Sequence, residues 1–320
     1  NRGVIKMKHK KANVKKFDAY QQVTDIFIEG LELYKNSQWK KSWVSTTCLT
    51  MPHNGNSNKN NRGINILILS SQGFQCPTWD TYKGWKKRGY HVTKGSKGTQ
   101  IYFNKPMVNV INEGEADEER NTFWMLRVFT VFNGQQVQDT EGQDYDWSST
   151  TVTPEPILGE ELEVHPGIDK LIDDHKVSLN HGGNSAFYQP SQDYIQMPNK
   201  KDFKATADRN AIQNYYGTLC HEFIHWTGHK TRTKRLDVGA RFGNESYAFE
   251  ELVAELGSVF LCIEQGLVPQ PTEDNIKYVN SWIKALKNDK RLIIKAASLA
   301  QKACDYINGY EYKAEEKQAA

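Results

Sequence analysis

Apolar residues return at helical spacing in FDAYQQVTDIFIEGLELY, where Val23, Ile26, Phe27, Leu31 and Tyr34 alternate with polar positions. That period predicts an amphipathic helix. The segments after it change character: INILILSS is almost wholly apolar and reads as a strand or a helix, and TWDTYKGWKKRGYHV has the spacing of a short helix. KGSKGTQIYF reads as a turn running into a strand, and TFWMLRVFTVFNGQQV holds a second β-prone run. From about Gly134 to Glu163 the pattern stops. Gln, Asp, Glu, Ser, Thr and Pro take over around DTEGQDYDWSSTTVTPEP, which is linker composition.

Helical spacing resumes at GIDKLIDDH, and SAFYQPSQDYIQMP offers two strand candidates around a Pro-Ser turn. A long helix ending at Gly228, the helix SYAFEELVAELGSVFLCIEQ and two further helices complete the chain. The pattern predicts an α+β protein with a basic tail over 1–16, a small α+β domain over 17–135, a polar and acidic linker over 136–163 and a mainly helical domain over 164–320. A length of 320 residues suits two domains, each burying its own core.

Composition adds three constraints. No apolar run approaches the roughly 18 residues a membrane helix requires, so no membrane role is expected. The start NRGVIKMKHKKANVKK is basic without a following apolar segment and reads as a solvated tail rather than a secretory signal. Cys48, Cys76, Cys220, Cys262 and Cys304 are odd in number and scattered, which fits free thiols in a reducing cytoplasm. The net charge of +3 conceals a division: residues 1–107 carry 16 Lys and 3 Arg against 5 acidic residues, a balance of +14, and the rest of the chain carries −11. The first third is built to meet a polyanion.

The densest chemistry lies in HEFIHWTGH. On a helix, His221 and His225 stand one above the other and can aim ring nitrogens at one ion, while Glu222, about 100° round, can take a proton from water beside it. Two core histidines are the ordinary alternative. His229 is eight residues from His221, about 12 Å along a continuous helix. It reaches the same ion only if the chain turns sharply at Gly228. A third histidine at the spacing of metzincins would fall at position 231, which is Thr231. Glu251 and Glu255, four apart in FEELVAEL, lie with Ser258 and Cys262 on a narrow stripe beside Leu252, Leu256, Val259 and Ile263. Carboxylates beside a core-facing stripe need a partner. Glu251 is therefore expected as the third ligand and Glu255 as acceptor for a histidine N–H, with Glu250 turned to solvent.

HEFIHWTGH followed by YAFEELVAELGSVFL resembles the metallopeptidase-like domain of the ArdC antirestriction proteins of conjugative plasmids and phages, and more loosely the thermolysin-like gluzincins. The resemblance continues through YVNSWIKALKNDKRLIIKAASLAQKACDYI and AFYQPSQDYIQMP, and into the N-terminal half through WKKSW, NRGIN, PTWDTYKGW and KGSKGT. It departs only at Ser42, where proline is usual, and at Ser96, where glutamate is common. It implies a single-stranded-DNA-binding domain joined to a zincin-like domain that is gluzincin-like in its ligands. The expected activity is antirestriction in a bacterial cytoplasm, including that of a recipient cell, with a host restriction or DNA-processing protein as target.

The metal expected on His221, His225 and Glu251 is zinc, with manganese or cobalt able to fill the same donors. Glu222 is then the general base, and Tyr247, near the ligand helix, is expected to steady an oxyanion. In the N-terminal half, Trp39, Trp43, Trp79, Tyr82, Trp85 and Phe103 interleave with Lys40, Lys41, Lys83, Lys86, Lys87, Arg88, Lys94 and Lys97. Aromatic faces among cations are what sequence-tolerant binding of single strands requires. Arg62 of NRGIN joins the expected DNA contacts. About half of the tryptophans are expected in the core instead. The competing reading is a non-catalytic strand-binding protein whose metal only holds the fold.

Overall fold

The computed structural model describes residues 18–35, 50–111, 119–148, 164–205, 210–236, 245–267 and 276–310. Helix α1 (Ala19–Lys35) forms where the period places it and buries Val23, Phe27 and Leu31, while Ile26 turns outward. A four-stranded sheet follows in the order β1-β2-β5-β4. In it β1 (His53–Asn54) runs parallel to β2 (Thr78–Thr81), and β5 (Glu119–Asn133) pairs antiparallel with β2 and along all of β4 (Thr99–Ile111). INILILSS is helical: every residue of α2 (Ile64–Ser70) is buried, as an unbroken apolar run demands. Asn65 both donates to the Tyr102 carbonyl and accepts from the Tyr102 N–H at 2.8 Å, which covers the open edge of β4 at that point.

TWDTYKGWKKRGYHV is three elements rather than one helix: β2, α3 (Tyr82–Lys87) and β3 (His91–Val92). Thr81 ends the strand by capping α3, its hydroxyl accepting from Gly84 N–H at 3.1 Å. The expected linker also begins later than its composition suggests. β6 (Val137–Gln138) pairs with β3, Val137 is buried, and the Tyr145 ring meets those of Trp85 and Tyr90 at 4.9 and 5.2 Å. Two anchoring side chains hold an otherwise polar segment to the sheet. Residues 149–163 lie outside those described.

The second half opens with α4 (Pro166–Asp174) and a three-stranded sheet in the order β7-β9-β8, from β7 (Ser178–His181), β8 (Phe187–Gln189) and β9 (Tyr194–Met197). Among the described residues it continues with the helices α5 (Ala211–Thr227), α6 (Glu245–Glu264), α7 (Ile276–Asn288) and α8 (Leu292–Ile307). Asn210 and Gln213 form a capping box that fixes the start of α5. The architecture is α+β. Among the described residues Cys76, Cys220, Cys262 and Cys304 are buried and form no disulfide, and no helix is long and apolar enough to cross a membrane. Cys48 lies outside the described residues.

The halves do not bury separate cores of equal weight. One large cluster takes in Val23, Phe27 and Leu31 of α1, Ile64, Ile66, Leu67 and Ile68 of α2, and the inward faces of α5 to α8. A smaller cluster of Leu69, Trp79, Ile101 and Val131 belongs to the first sheet alone. Polar contacts reinforce the joint. The Thr24 hydroxyl donates to the Lys290 carbonyl at 2.8 Å, and Lys287 pairs with Glu32 at 3.1 Å. At the start of α2, Arg62 pairs with Asp305 at 2.5 Å and Gly63 N–H donates to Gln301 Oε1 at 2.8 Å. Gly63 has a φ of 57°, a left-handed conformation that glycine adopts without strain. Beside this joint, Asn308 donates to Glu264 at 2.8 Å. Burial pushes the Glu264 carboxyl up to about 7, Asp305 adds to the rise, and Asn308 and Arg62 oppose it.

Phe27→Ala is expected to destabilise the whole chain by about 3–5 kcal/mol, seen in denaturant as one shifted transition. Two transitions, one of them unmoved, would show that α1 belongs to a separate folding unit. Glu264 keeps its proton in the folded state to a higher pH than the unfolded value of 4.5, so its contribution to stability is present below pH 4.5 and lost as pH rises to about 7. Glu264→Gln is therefore expected to raise the melting temperature relative to the parent by an amount that grows between those two pH values and then levels off. An equal difference at acid and neutral pH contradicts the assignment.

Candidate metal centre

Helices α5 and α6 approach closely because α6 carries Gly257 where they touch: a Cβ there would stand 2.9 Å from the Ile224 side chain. This contact sets the register that brings the polar stripe of α6 against the histidines of α5. His221 Nε2 and His225 Nε2 face one another at 3.2 Å, and Glu251 presents its two oxygens to them at 3.5 and 3.7 Å. The three residues offer donor atoms that all lie within 4.8 Å of one another. Two imidazole nitrogens turned toward each other and toward a buried carboxylate form a set suited to a divalent ion. Glu255 lies on the far side of His221, its oxygen 3.6 Å from Nδ1, longer than a hydrogen bond, and that nitrogen has no hydrogen-bond partner among the described residues. Burial alone would lower the His221 pKa. Attraction to the nearby Glu251 and Glu255 carboxylates outweighs it and holds the imidazole well above its ordinary value. Burial likewise opposes ionisation of Glu251, yet His221, His225 and Tyr247 bring its carboxyl down to about 2.

Glu250 departs from expectation. Its side chain is only 12% exposed rather than solvated, and it accepts from Arg235 through both oxygens at 2.8 Å while meeting His225 Nδ1 at 3.0 Å. Burial would raise its carboxyl, and the His225 and Arg235 contacts outweigh burial and lower it. Sequence spacing missed this because Arg235 arrives from a loop. The chain turns back at Gly228, where a Cβ would stand 2.7 Å from Leu236, and both Arg235 N–H and Leu236 N–H donate to the Gly228 carbonyl at 2.9 Å. Arg235 also donates to the Ile224 carbonyl at 2.7 Å, closing the C-terminal turn of α5. The sharp turn that could have delivered His229 thus exists. His229 nevertheless points away, its Nδ1 on the Thr231 hydroxyl at 2.8 Å.

Glu222 is 7% exposed and close enough to His221 to act on its charge. Tyr247 also reaches the centre, hydrogen-bonded to Glu251 and Tyr278, and burial raises its phenol far above the usual value. Its hydroxyl is directed at the ligand carboxylate rather than standing free toward an oxyanion.

The expected DNA contacts divide. Trp39, Lys40, Lys41 and Trp43 lie outside the described residues. Tyr82, Lys83, Lys86, Lys87, Lys94 and Lys97 are exposed. Trp79 and Trp85 are corrected to core residues: Trp79 is 2% exposed and packs on Phe74, and Trp85 is fully enclosed, its N–H donating to the Phe132 carbonyl at 2.9 Å. Neither presents a face to a base. Arg88 lies 3.9 Å over the Trp85 ring and 3.4 Å from Asp80, which makes it a packing residue, while Arg62 pairs with Asp305 with its side chain 47% exposed.

Both halves of the chain resemble known proteins. Residues 17–132 match the N-terminal domain of anti-restriction factor ArdC, and residues 166–299 match the zincin-like metallopeptidase family. An uncharacterized protein, y4eC of Sinorhizobium fredii, is 32% identical over 93% of this chain and 94% of its own length. A DNA primase TraC of Escherichia coli is 33% identical over 94% of this chain, which spans only 28% of that relative. The antirestriction ArdC protein from the R388 plasmid superposes with a TM-score of 0.70 in its metal-free structure, at 33% identity over 92% of this chain and 98% of that one. Its Mn(II)-bound structure gives a TM-score of 0.68 at 32% identity, over 93% of this chain and all of that one. With both halves matched in order and the two-histidine, one-glutamate cluster in place, the chain belongs to the ArdC family of antirestriction proteins.

Proposed function

We propose that this chain is an antirestriction protein of a mobile element that binds single-stranded DNA through its basic first third and holds a zinc-type metallopeptidase centre on His221, His225 and Glu251. One observation carries the reading: donor atoms of these three residues converge within 4.8 Å between α5 and α6. Two imidazoles and a carboxylate suit zinc, and manganese or cobalt fit the same donors, in keeping with the Mn(II)-bound R388 relative. The DNA half of the reading rests on the +14 balance of residues 1–107 and on the match of that region to the ArdC N-terminal domain.

When bound, a divalent ion supplies a Lewis acid that polarises a carbonyl and acidifies water. Glu222, beside His221 on α5, accepts the proton of the attacking water and passes it to the leaving amine. Tyr247 orients Glu251 through its hydrogen bond. Glu255 holds the His221 ring from behind, and Glu250 with Arg235 holds that of His225. The target class is a host restriction or DNA-processing protein met on the same strand, in the bacterial cytoplasm that receives the DNA. A non-catalytic reading, in which the ion only braces α5 against α6, is favoured by the low exposure of Glu222.

Metal analysis with peptide hydrolysis assays separates the two. Glu222→Gln is expected to keep its metal and its strand affinity and to lose hydrolysis by roughly 100-fold or more. Equal protection of incoming DNA by this variant and its parent assigns protection to strand binding alone. Glu250→Gln is expected to weaken the ion about 10- to 100-fold in chelator competition, and to lower the melting temperature in chelator as well, because buried Arg235 loses its anion. Unaltered affinity would show that the Arg235 and Glu250 pair serves only the fold.

A further inference from the structure

The pairing of β4 with β5 sets Ile101 opposite Phe129 and Phe103 opposite Arg127, so these four side chains share one face of the sheet. At one end that face is closed, with Ile101 and Val131 buried against Leu69 and Trp79. Two residues on, the cover ends. Phe103 is 45% exposed and Phe129 41%, their rings edge-to-face with centroids 5.6 Å apart. Among the described residues no other two exposed aromatic rings touch. Arg127 is exposed between them in register. Tyr82, 53% exposed, and Lys83 open α3 directly after Thr81, which pairs with Val131, so they stand one strand over from Phe129.

We propose that Phe103, Phe129 and Tyr82 form the platform on which successive bases of single-stranded DNA stack, with Arg127 and Lys83 on the phosphates between them. The proposal rests on the strand-binding reading given above and locates it. Exposed apolar rings in water are unfavourable unless something covers them, and an edge-to-face pair leaves ring faces free. The surrounding charge selects the cover. Lys86 and Lys87 continue α3, Lys94 and Lys97 precede β4, and all four are exposed in a region of +14 balance. Aromatic faces accept any base, and cations at strand spacing track any sequence. Of the more obvious candidates by residue type, Trp79 lies on the covered part of this face beside Ile101 and Val131, and Trp85 is fully enclosed.

The test uses the full chain and two labelled strands of roughly 20 nucleotides, oligothymidine and an abasic strand of equal length, with binding followed by anisotropy. Phe103→Ala with Phe129→Ala is expected to weaken oligothymidine roughly 10-fold or more and to leave the abasic strand unchanged, while Phe129→Trp retains parental affinity. Arg127→Ala is expected to reduce the slope of log affinity against log salt by about 0.7, and the phenylalanine changes are not. Iododeoxyuridine strands are expected to crosslink to Tyr82, Phe103 or Phe129. Parental oligothymidine affinity in the double variant overturns the platform and leaves strand binding standing. A parent that binds no strand overturns both. A parent that dimerises, with a double variant that is monomeric and binds DNA normally, assigns the face to self-association and overturns the platform.

Discussion

Six ionisable side chains, His221, His225, Glu222, Glu250, Glu251 and Glu255, are buried or nearly so between two helices, and the rest of the second half is arranged to make that tolerable. Isolated charges in such a place would revert to their neutral forms or unfold the chain. Here the histidines stand against carboxylates and Glu250 against Arg235, and these groups come from different parts of the sequence. Gly257 lets the helices close, the turn at Gly228 returns Arg235 beneath Glu250, and Tyr247 and Tyr278 close the side of Glu251. The pairing is asymmetric. His221 stands between two carboxylates of α6 at 3.5 and 3.6 Å, while His225 Nδ1 meets at 3.0 Å a carboxylate that is itself clamped by a guanidinium. The second arrangement is stiffer, because a bidentate fork fixes the carboxylate plane and through it the ring.

Much of the centre was legible in the sequence, because it depends on helical periodicity. Spacings of four put His221 over His225 and Glu251 over Glu255, and a polar stripe beside an apolar one shows which carboxylates face inward. What periodicity hid was Glu250, one residue off that stripe, since its burial depends on an arginine delivered by a loop. A buried cation has no period of its own. The only available sign was an arginine a few residues beyond a helix-ending glycine.

In the first half the type of residue misled where its register would have served. Tryptophans drew attention as stacking groups, yet Trp79 shares its face with Ile101 and Val131 under cover, and Trp85 lies inside a cage of Tyr90, Tyr145 and Arg88. Large rings earn burial more readily than exposure. The smaller phenylalanines stay outside because β4 and β5 run on past the helix that covers them. Likewise β7 and β6 were hidden because SLNH and VQ are too short and polar to alternate, and their strand character comes from their neighbours.

The continuous core across α1, α2 and the C-terminal helices has an evolutionary corollary. A unit whose first helix is seated on its last two cannot be divided by recombination without stripping an apolar face from each piece. It must be inherited, duplicated or fused as a block. The TraC relative aligns with 94% of this chain inside a much longer polypeptide, so both halves sit there together. Indivisibility of this kind lets the segment be embedded in a larger protein as a ready-made cartridge, its four-stranded sheet and its histidine–glutamate centre always arriving in the same ratio.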